Sequence, residues 1–196
     1  MKAFYFIFLV LFFSTKTLSA QNLSKAYFAG GCFWCMEEAF EKIDGVVEVI
    51  SGYSGGKTKN PTYKEVVYGD TGHFEAIEII YDSSVLSYKK LLDSFWINID
   101  PFDEYGQFCD KGYSYRSVAF YQNQKQRKMI NDSINKIENK FQKQVVTYVR
   151  NFEKFYKAED KHQNYYQEYF LNYLRYKKSC RREKILNNIW GSKKKL

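Results

Sequence analysis

The sequence predicts an α+β fold, a ferredoxin-like split β-α-β two-layer sandwich followed by a C-terminal helical extension. Three observations lead there. Residues 26–29, 46–50, 73–81 and 117–121 are short apolar or β-branched runs bounded by turn residues, while 33–42 and 85–98 repeat their apolar positions at the helical period. Taken in order, these six elements run β-α-β-β-α-β, which places helices on one face of a mixed sheet. A last pattern, His162, Tyr165, Tyr166, Tyr169, Phe170 and Tyr173, reads as one amphipathic helix with an aromatic stripe, suited to packing.

Each element has a local reason. Lys25 to Ala29 enters Gly30-Gly31, and the helix that leaves them carries Met36, Ala39, Phe40 and Ile43 on one side. Asp44-Gly45 is a turn before the β-branched run 46–50. Residues 52–72 form a long loop rich in Gly, Ser, Thr, Asn and Tyr. The strand 73–81 is apolar on both faces except for Glu75 and Glu78, and Leu86, Leu91, Leu92, Phe95 and Trp96 mark the next helix. After a polar loop over 100–115 and the strand 117–121, Ile130, Ile134, Ile137 and Phe141 mark a third helix. A further strand is expected at 145–149.

The first twenty residues read as an address. Met1-Lys2 is a basic start, residues 3–13 are unbroken apolar, and a more polar stretch ends in Leu18-Ser19-Ala20. That is the pattern of a signal peptide over 1–20, with an apolar run too short to span a bilayer comfortably. The chain is therefore expected to be secreted or periplasmic, with residues 21–196 as a single catalytic domain, monomeric and without stable membrane insertion. The net charge of +8 is spread along polar helix faces and gathers only at Lys193-Lys194-Lys195. Such a distribution predicts a solvated basic surface and no nucleic-acid partner.

Four cysteines in an exported chain ordinarily mean two structural disulfides. Cys32 and Cys35 argue otherwise, because a bridge across one helical turn closes a tiny loop and adds little stability. Such a pair reads as a redox couple. Cys32 falls at a helix N-terminus, where free N–H groups and the helix dipole favour a thiolate, and Phe33 and Trp34 supply an apolar wall. A lone Cys-x-x-Cys with His73 and His162 at unmatched spacing does not make a zinc site, so no metal is expected. Cys32–Cys35 alone would also suit a thiol–disulfide oxidoreductase, but the tryptophan lies between the cysteines and no proline stands near.

Several spaced motifs narrow this further. Gly31-Cys32-Phe33-Trp34 with Glu37, Gly52-Tyr53-Ser54-Gly55-Gly56, Asn60-Pro61-Thr62-Tyr63, the run from Gly69 to Ala76, Tyr115-Arg116-Ser117 and Ala158-Glu159-Asp160-Lys161-His162-Gln163 follow one another. Together, from Ala26 to about Tyr166, they resemble the A-class peptide methionine sulfoxide reductases. The resemblance implies reduction of the S epimer of methionine sulfoxide, free or in oxidised proteins. Cys32 would be the nucleophile, Phe33 and Trp34 the methyl-binding wall, and Glu75 the proton donor. Tyr63 and Tyr115 would offer hydroxyls to the oxygen, and Asp110 would organise the polar side.

A carboxyl group in an apolar strand suits the role of donor, since burial keeps it protonated. A second thiol would then convert the Cys32 sulfenic acid to a disulfide. Cys35 is the first candidate and Cys180 the second, although the glycine-rich tail that usually carries a resolving cysteine is missing around Cys180. Cys109 adjoins the Asp110 motif, where Gly112-Tyr113-Ser114-Tyr115 departs from the usual Gly-Thr-Gln-Tyr. No bound cofactor is implied, and the electron donor would be a thioredoxin-like protein. His73 and His162 are expected to be structural hydrogen-bonders, and Glu37 to brace its own helix.

Overall fold

The computed structural model describes residues 22–192. The signal peptide expected over 1–20 and the lysines at 193–195 lie outside them. In chain order the elements are β1 (Leu23–Ala29), α1 (Phe33–Glu41), β2 (Val46–Ser54), α2 (Tyr63–Tyr68), β3 (Phe74–Asp82), α3 (Tyr88–Trp96), β4 (Gly106–Gln107), β5 (Asp110–Lys111), β6 (Val118–Tyr121), α4 (Gln124–Phe141), β7 (Tyr148–Asn151), β8 (Phe155–Lys157), α5 (Tyr165–Glu168), α6 (Phe170–Cys180) and α7 (Arg182–Trp190).

Six strands form one mixed sheet in the order β7-β6-β1-β3-β2-β8, and β4 and β5 form a separate hairpin. The four strands expected from the sequence occupy its centre, and every pairing among them is antiparallel. β7 adds parallel to β6 at one edge and β8 antiparallel to β2 at the other. β8, with Phe155, Tyr156 and Lys157, was not foreseen. A three-residue strand carries too little pattern to be seen without its partner Gly52–Ser54.

The sheet divides its side chains between two cores. On one side Phe28, Ile77 and Ile79 meet Met36, Phe40, Leu91, Phe95 and Trp96 from α1 and α3, and Ile130 and Ile137 from α4. On the other side Tyr27, Ala29, Phe74, Ala76, Val118 and Phe120 pack under Tyr148, Phe152 and Phe155. β3 is buried on both faces, which is why its sequence reads as a continuous apolar run.

Two expectations are corrected. The long loop 52–72 contains a six-residue helix, α2, nucleated by a capping box between Thr62 and Glu65. The aromatic stripe from His162 to Tyr173 is not one helix. His162 ends a 3-10 turn, α5 spans four residues, and the chain breaks at Tyr169 before α6 begins. Asn164, with φ 51°, makes the earlier break between the 3-10 turn and α5. Repeats of three and four persist across short helices, so the period alone did not reveal the bends. Among the described residues no helix is long and apolar enough to cross a membrane.

Candidate active site

The site is built around the sharp passage from β1 into α1. Gly31 adopts φ +77°, and a Cβ there would lie 2.5 Å from the Gln107 side chain. Only glycine allows this approach, which sets Cys32 at the N-cap of α1. Cys32 and Cys35 are free thiols, each buried, at the centre of a cluster with Tyr173, Trp34, Tyr165, Tyr166 and Tyr176.

The Phe33 N–H donates to Glu75 Oε2 at 3.0 Å. Glu75, in β3 and 2% exposed, is thereby held against the start of α1. Its Oε1 is buried with no hydrogen-bond partner of normal geometry among the described residues. Burial pushes the carboxyl up to about 8, with the Phe33 N–H pulling the other way. A carboxylic acid that remains protonated near neutral pH therefore stands beside the cysteine pair.

The thiols themselves correct a simple expectation. Burial, the neighbouring Cys35 and the Glu75 charge push Cys32 well above an ordinary thiol, and the Tyr176 hydroxyl opposes them. Cys35 is instead lowered to about 6 by its interaction with Cys32, against burial and with help from Arg182, Tyr173 and Lys177. The helix N-terminus does not decide the matter alone, because desolvation outweighs it. The pair shares one readily formed negative charge, which rests on the Cys35 side. Cys35 also lines a cleft of about 190 Å³ with Glu38, Lys42, Tyr173, Lys177 and Arg182.

Phe33 and Trp34 do form an aromatic wall. Trp34 stacks on Tyr165 at 3.8 Å and meets the edge of Tyr176 at 6.1 Å. Phe33 lies 6.1 Å from Tyr63, ring to ring. The Tyr63 and Tyr115 hydroxyls interact with each other, and burial first, then the Glu75 charge, pushes both phenols up. Asp110 is also near; its carboxyl is raised by burial and accepts from Tyr176 at 2.5 Å. The structure thus brings Cys32, Cys35, Phe33, Trp34, Tyr63, Glu75, Asp110 and Tyr115 to one place.

Cys180, the second resolving candidate, is elsewhere engaged: it forms a disulfide with Cys109, Cα to Cα 5.0 Å. Among the described residues one group of potential metal ligands gathers, Cys109, Asp110 and Cys180, and its two sulfurs are bonded to each other. His73 is a structural hydrogen-bonder, with Nδ1 accepting from the Gly56 N–H and Nε2 at 2.8 Å from Thr58 O. His162 is not. It lies against Tyr63, Phe33 and Trp34, and neither ring nitrogen makes a hydrogen bond among the described residues, although Nε2 stands 4.0 Å from Glu159 Oε2; burial lowers its pKa and Glu159 opposes this.

Glu37 does not brace its own helix. It accepts from Ser51 Oγ and from the Asn164 N–H. Sequence reading also missed Glu159, which accepts from the Tyr63 N–H and the Tyr53 hydroxyl and so seats α2 under the pocket. Gln163 was missed as well; its amide pairs with both backbone groups of Ser51 as a strand would. Their only signal was membership of the run 158–163, which assigns no roles by itself.

The family model described as peptide methionine sulfoxide reductase matches residues 24–194. The "Peptide methionine sulfoxide reductase MsrA" of Listeria innocua is 44% identical over 175 residues, covering 88% of this chain and 99% of its own. Mxr1 from Saccharomyces cerevisiae in reduced form superposes with a TM-score of 0.70 at 28% identity, over 78% of this chain and 90% of that one. Mxr1 in complex with Trx2 shares the fold, with a TM-score of 0.52 at 20% identity over 76% and 91% of the two chains.

Proposed function

The chain belongs to the peptide methionine sulfoxide reductase family, an oxidoreductase acting on methionine sulfoxide, and from that premise we propose that it reduces the S epimer, free or peptidyl, through Cys32. The observation that carries this reading is the raised Glu75 carboxyl, bound to the Phe33 N–H and adjoining Cys32. Sulfoxide oxygen leaves sulfur only once it holds a proton, and an acid with a pKa near 8 supplies one at neutral pH.

In the proposed cycle the substrate methyl group lies against Phe33 and Trp34, and Tyr63 and Tyr115 hydrogen-bond the oxygen. The charge shared by the two thiols moves to Cys32 as Cys35 takes the proton. Cys32 sulfur bonds to the sulfoxide sulfur while Glu75 protonates the oxygen. Oxygen then passes to Cys32, releasing methionine and leaving a sulfenic acid. Cys35 returns its proton to the Glu75 carboxylate and attacks that sulfur as thiolate, forming Cys32–Cys35 while Glu75 protonates the departing hydroxyl to water. A thioredoxin-like dithiol restores both thiols by exchange. The complex formed by Mxr1 supports a donor of that class, and the cleft beside Cys35 supports its entry there.

The strand order β6-β1-β3-β2 supports reading the scaffold as a split β-α-β sandwich. The pattern of residues 1–20 supports export to the periplasm or beyond. A decisive test is turnover of the separated sulfoxide epimers with dithiothreitol. Wild type is expected to consume the S form alone, and Cys32→Ser neither. Turnover surviving Cys32→Ser, or insulin reduction without sulfoxide loss, overturns the reading.

A further inference from the structure

The Cys109–Cys180 disulfide joins residues 71 apart and takes no sulfur from the pair beside Glu75. One end lies in the β4–β5 hairpin and the other closes α6. Each end has a neighbour in the site. Asp110 follows Cys109 directly, and Tyr176 precedes Cys180 by one helical turn. The Tyr176 hydroxyl donates to Asp110 Oδ2 at 2.5 Å, and it also faces the Cys32 thiol.

Besides the disulfide and the Tyr176–Asp110 bond, the two segments meet where Phe108 packs in one buried cluster with Cys180, Leu186 and Trp190. The hairpin consists of two two-residue strands, too short for its ladder to fix Asp110. Beyond the sulfurs, the Cys109 N–H points to Cys180 Sγ at 3.3 Å and the Arg182 guanidinium lies 4.5 Å over the Phe108 ring. A hydroxyl set between a carboxyl group and a thiol gives its hydrogen to whichever carries the charge. Its usefulness to Cys32 therefore depends on holding all three in register.

We propose that the Cys109–Cys180 disulfide is a positioning bond for sulfoxide reduction: it clamps the hairpin to α6 so that Tyr176 stays between Asp110 and Cys32. The bond remains closed while Cys32 and Cys35 cycle. Tyr176 is the positioning residue through which it acts. The proposal rests on the reading of Cys32 as the attacking sulfur.

The test is a mutant cycle in a Cys35→Ser background, where Cys32 alone titrates. Variants are Tyr176→Phe, the double change Cys109→Ser with Cys180→Ser, and all three together. The readout is the pH midpoint of Cys32 alkylation by iodoacetamide, with thermal unfolding recorded alongside. Tyr176→Phe, which keeps the disulfide, is expected to raise the midpoint by about one pH unit, the scale of one hydrogen bond to a charged sulfur. Opening the disulfide is expected to give the same rise, and the triple variant no more. An unchanged midpoint in Tyr176→Phe overturns the proposal even where the serine pair folds poorly; full additivity of the two changes does so as well.

In wild type with both active-site cysteines, peptide mapping after one turnover is expected to find Cys109 still bonded to Cys180. Cys180 bonded to Cys32 or Cys35 would instead make it a station of the cycle and overturn the proposal. Failure of the underlying reading shows separately, as sulfoxide turnover that survives Cys32→Ser.

Discussion

Glu75 accepts the backbone N–H of Phe33 through one carboxyl oxygen at 3.0 Å and leaves the other buried, with no hydrogen bond of normal geometry among the described residues. The bond orients the acid without discharging it. Glu75→Gln keeps the shape and loses the proton, so methionine formation in a single turnover is expected to fall by about 10²–10⁴-fold. Wild-type activity is expected to decline as pH rises through about 8, where the carboxyl ionises. A variant that turns over at the wild-type rate, or a wild-type profile flat from pH 6 to 10, would remove Glu75 from the mechanism.

The same carboxyl has a stability signature of definite sign. Its pKa is higher in the folded protein than the ordinary 4.5, so the folded state holds a proton that the unfolded chain has released. Stability from this group is complete at low pH and is lost as pH rises from about 4.5 through about 8. Glu75→Gln has no such loss. Its Tm is expected to exceed that of wild type at pH 8 and to approach it at pH 5. Glu37, also pushed up by burial, to about 7, is present in both proteins and cancels in the difference. A Tm difference independent of pH would contradict the burial assigned to Glu75.

Cys35→Ser separates chemistry from recycling. Cys32 can still attack and form a sulfenic acid, but no thiol remains one turn away to resolve it. One equivalent of methionine per enzyme is expected in a rapid phase, followed by turnover at least tenfold slower with a thioredoxin-like donor. Quenched-flow measurement of methionine against enzyme concentration checks this. Undiminished steady-state turnover would show that Cys35 is dispensable.

The centre of the fold and of the site was legible for different reasons. The strands around Phe28 and Ile77 are buried on both faces, between two cores, so their apolar content is visible in sequence. Gly30-Gly31-Cys32 was legible because glycines before a helical period mark a sharp turn. The Cys109–Cys180 bond was not legible, since spacing along the chain says nothing of Cα atoms brought within 5.0 Å. Nor was the lowering of Cys35, which comes first from Cys32 itself and then draws on Arg182 and Lys177, more than 140 residues away in the chain. The N-terminal position of Cys32 suggested the opposite, because a local rule cannot see burial supplied by α6.

Glu37 joins three segments from a position with no exposure at all, and its loss should be felt at the C-terminal end of the fold. Oε1 accepts the N–H of Asn164, which opens α5 without a side-chain cap of its own, and Oε2 accepts from Ser51 Oγ in β2. Glu37→Leu fills similar volume but leaves both donors unpaired, at about 1–3 kcal/mol each. Residues 164–180 should then loosen first, and with them Tyr165, which stacks on Trp34. Hydrogen exchange is expected to quicken in α5 and α6 while β1 and β3 keep their protection. KM for a methionine sulfoxide peptide should rise more than kcat falls, since Trp34 loses the ring behind it while Cys32 and Glu75 stay in place. Uniform acceleration of exchange across the sheet would show that Glu37 supports the whole core and not this segment.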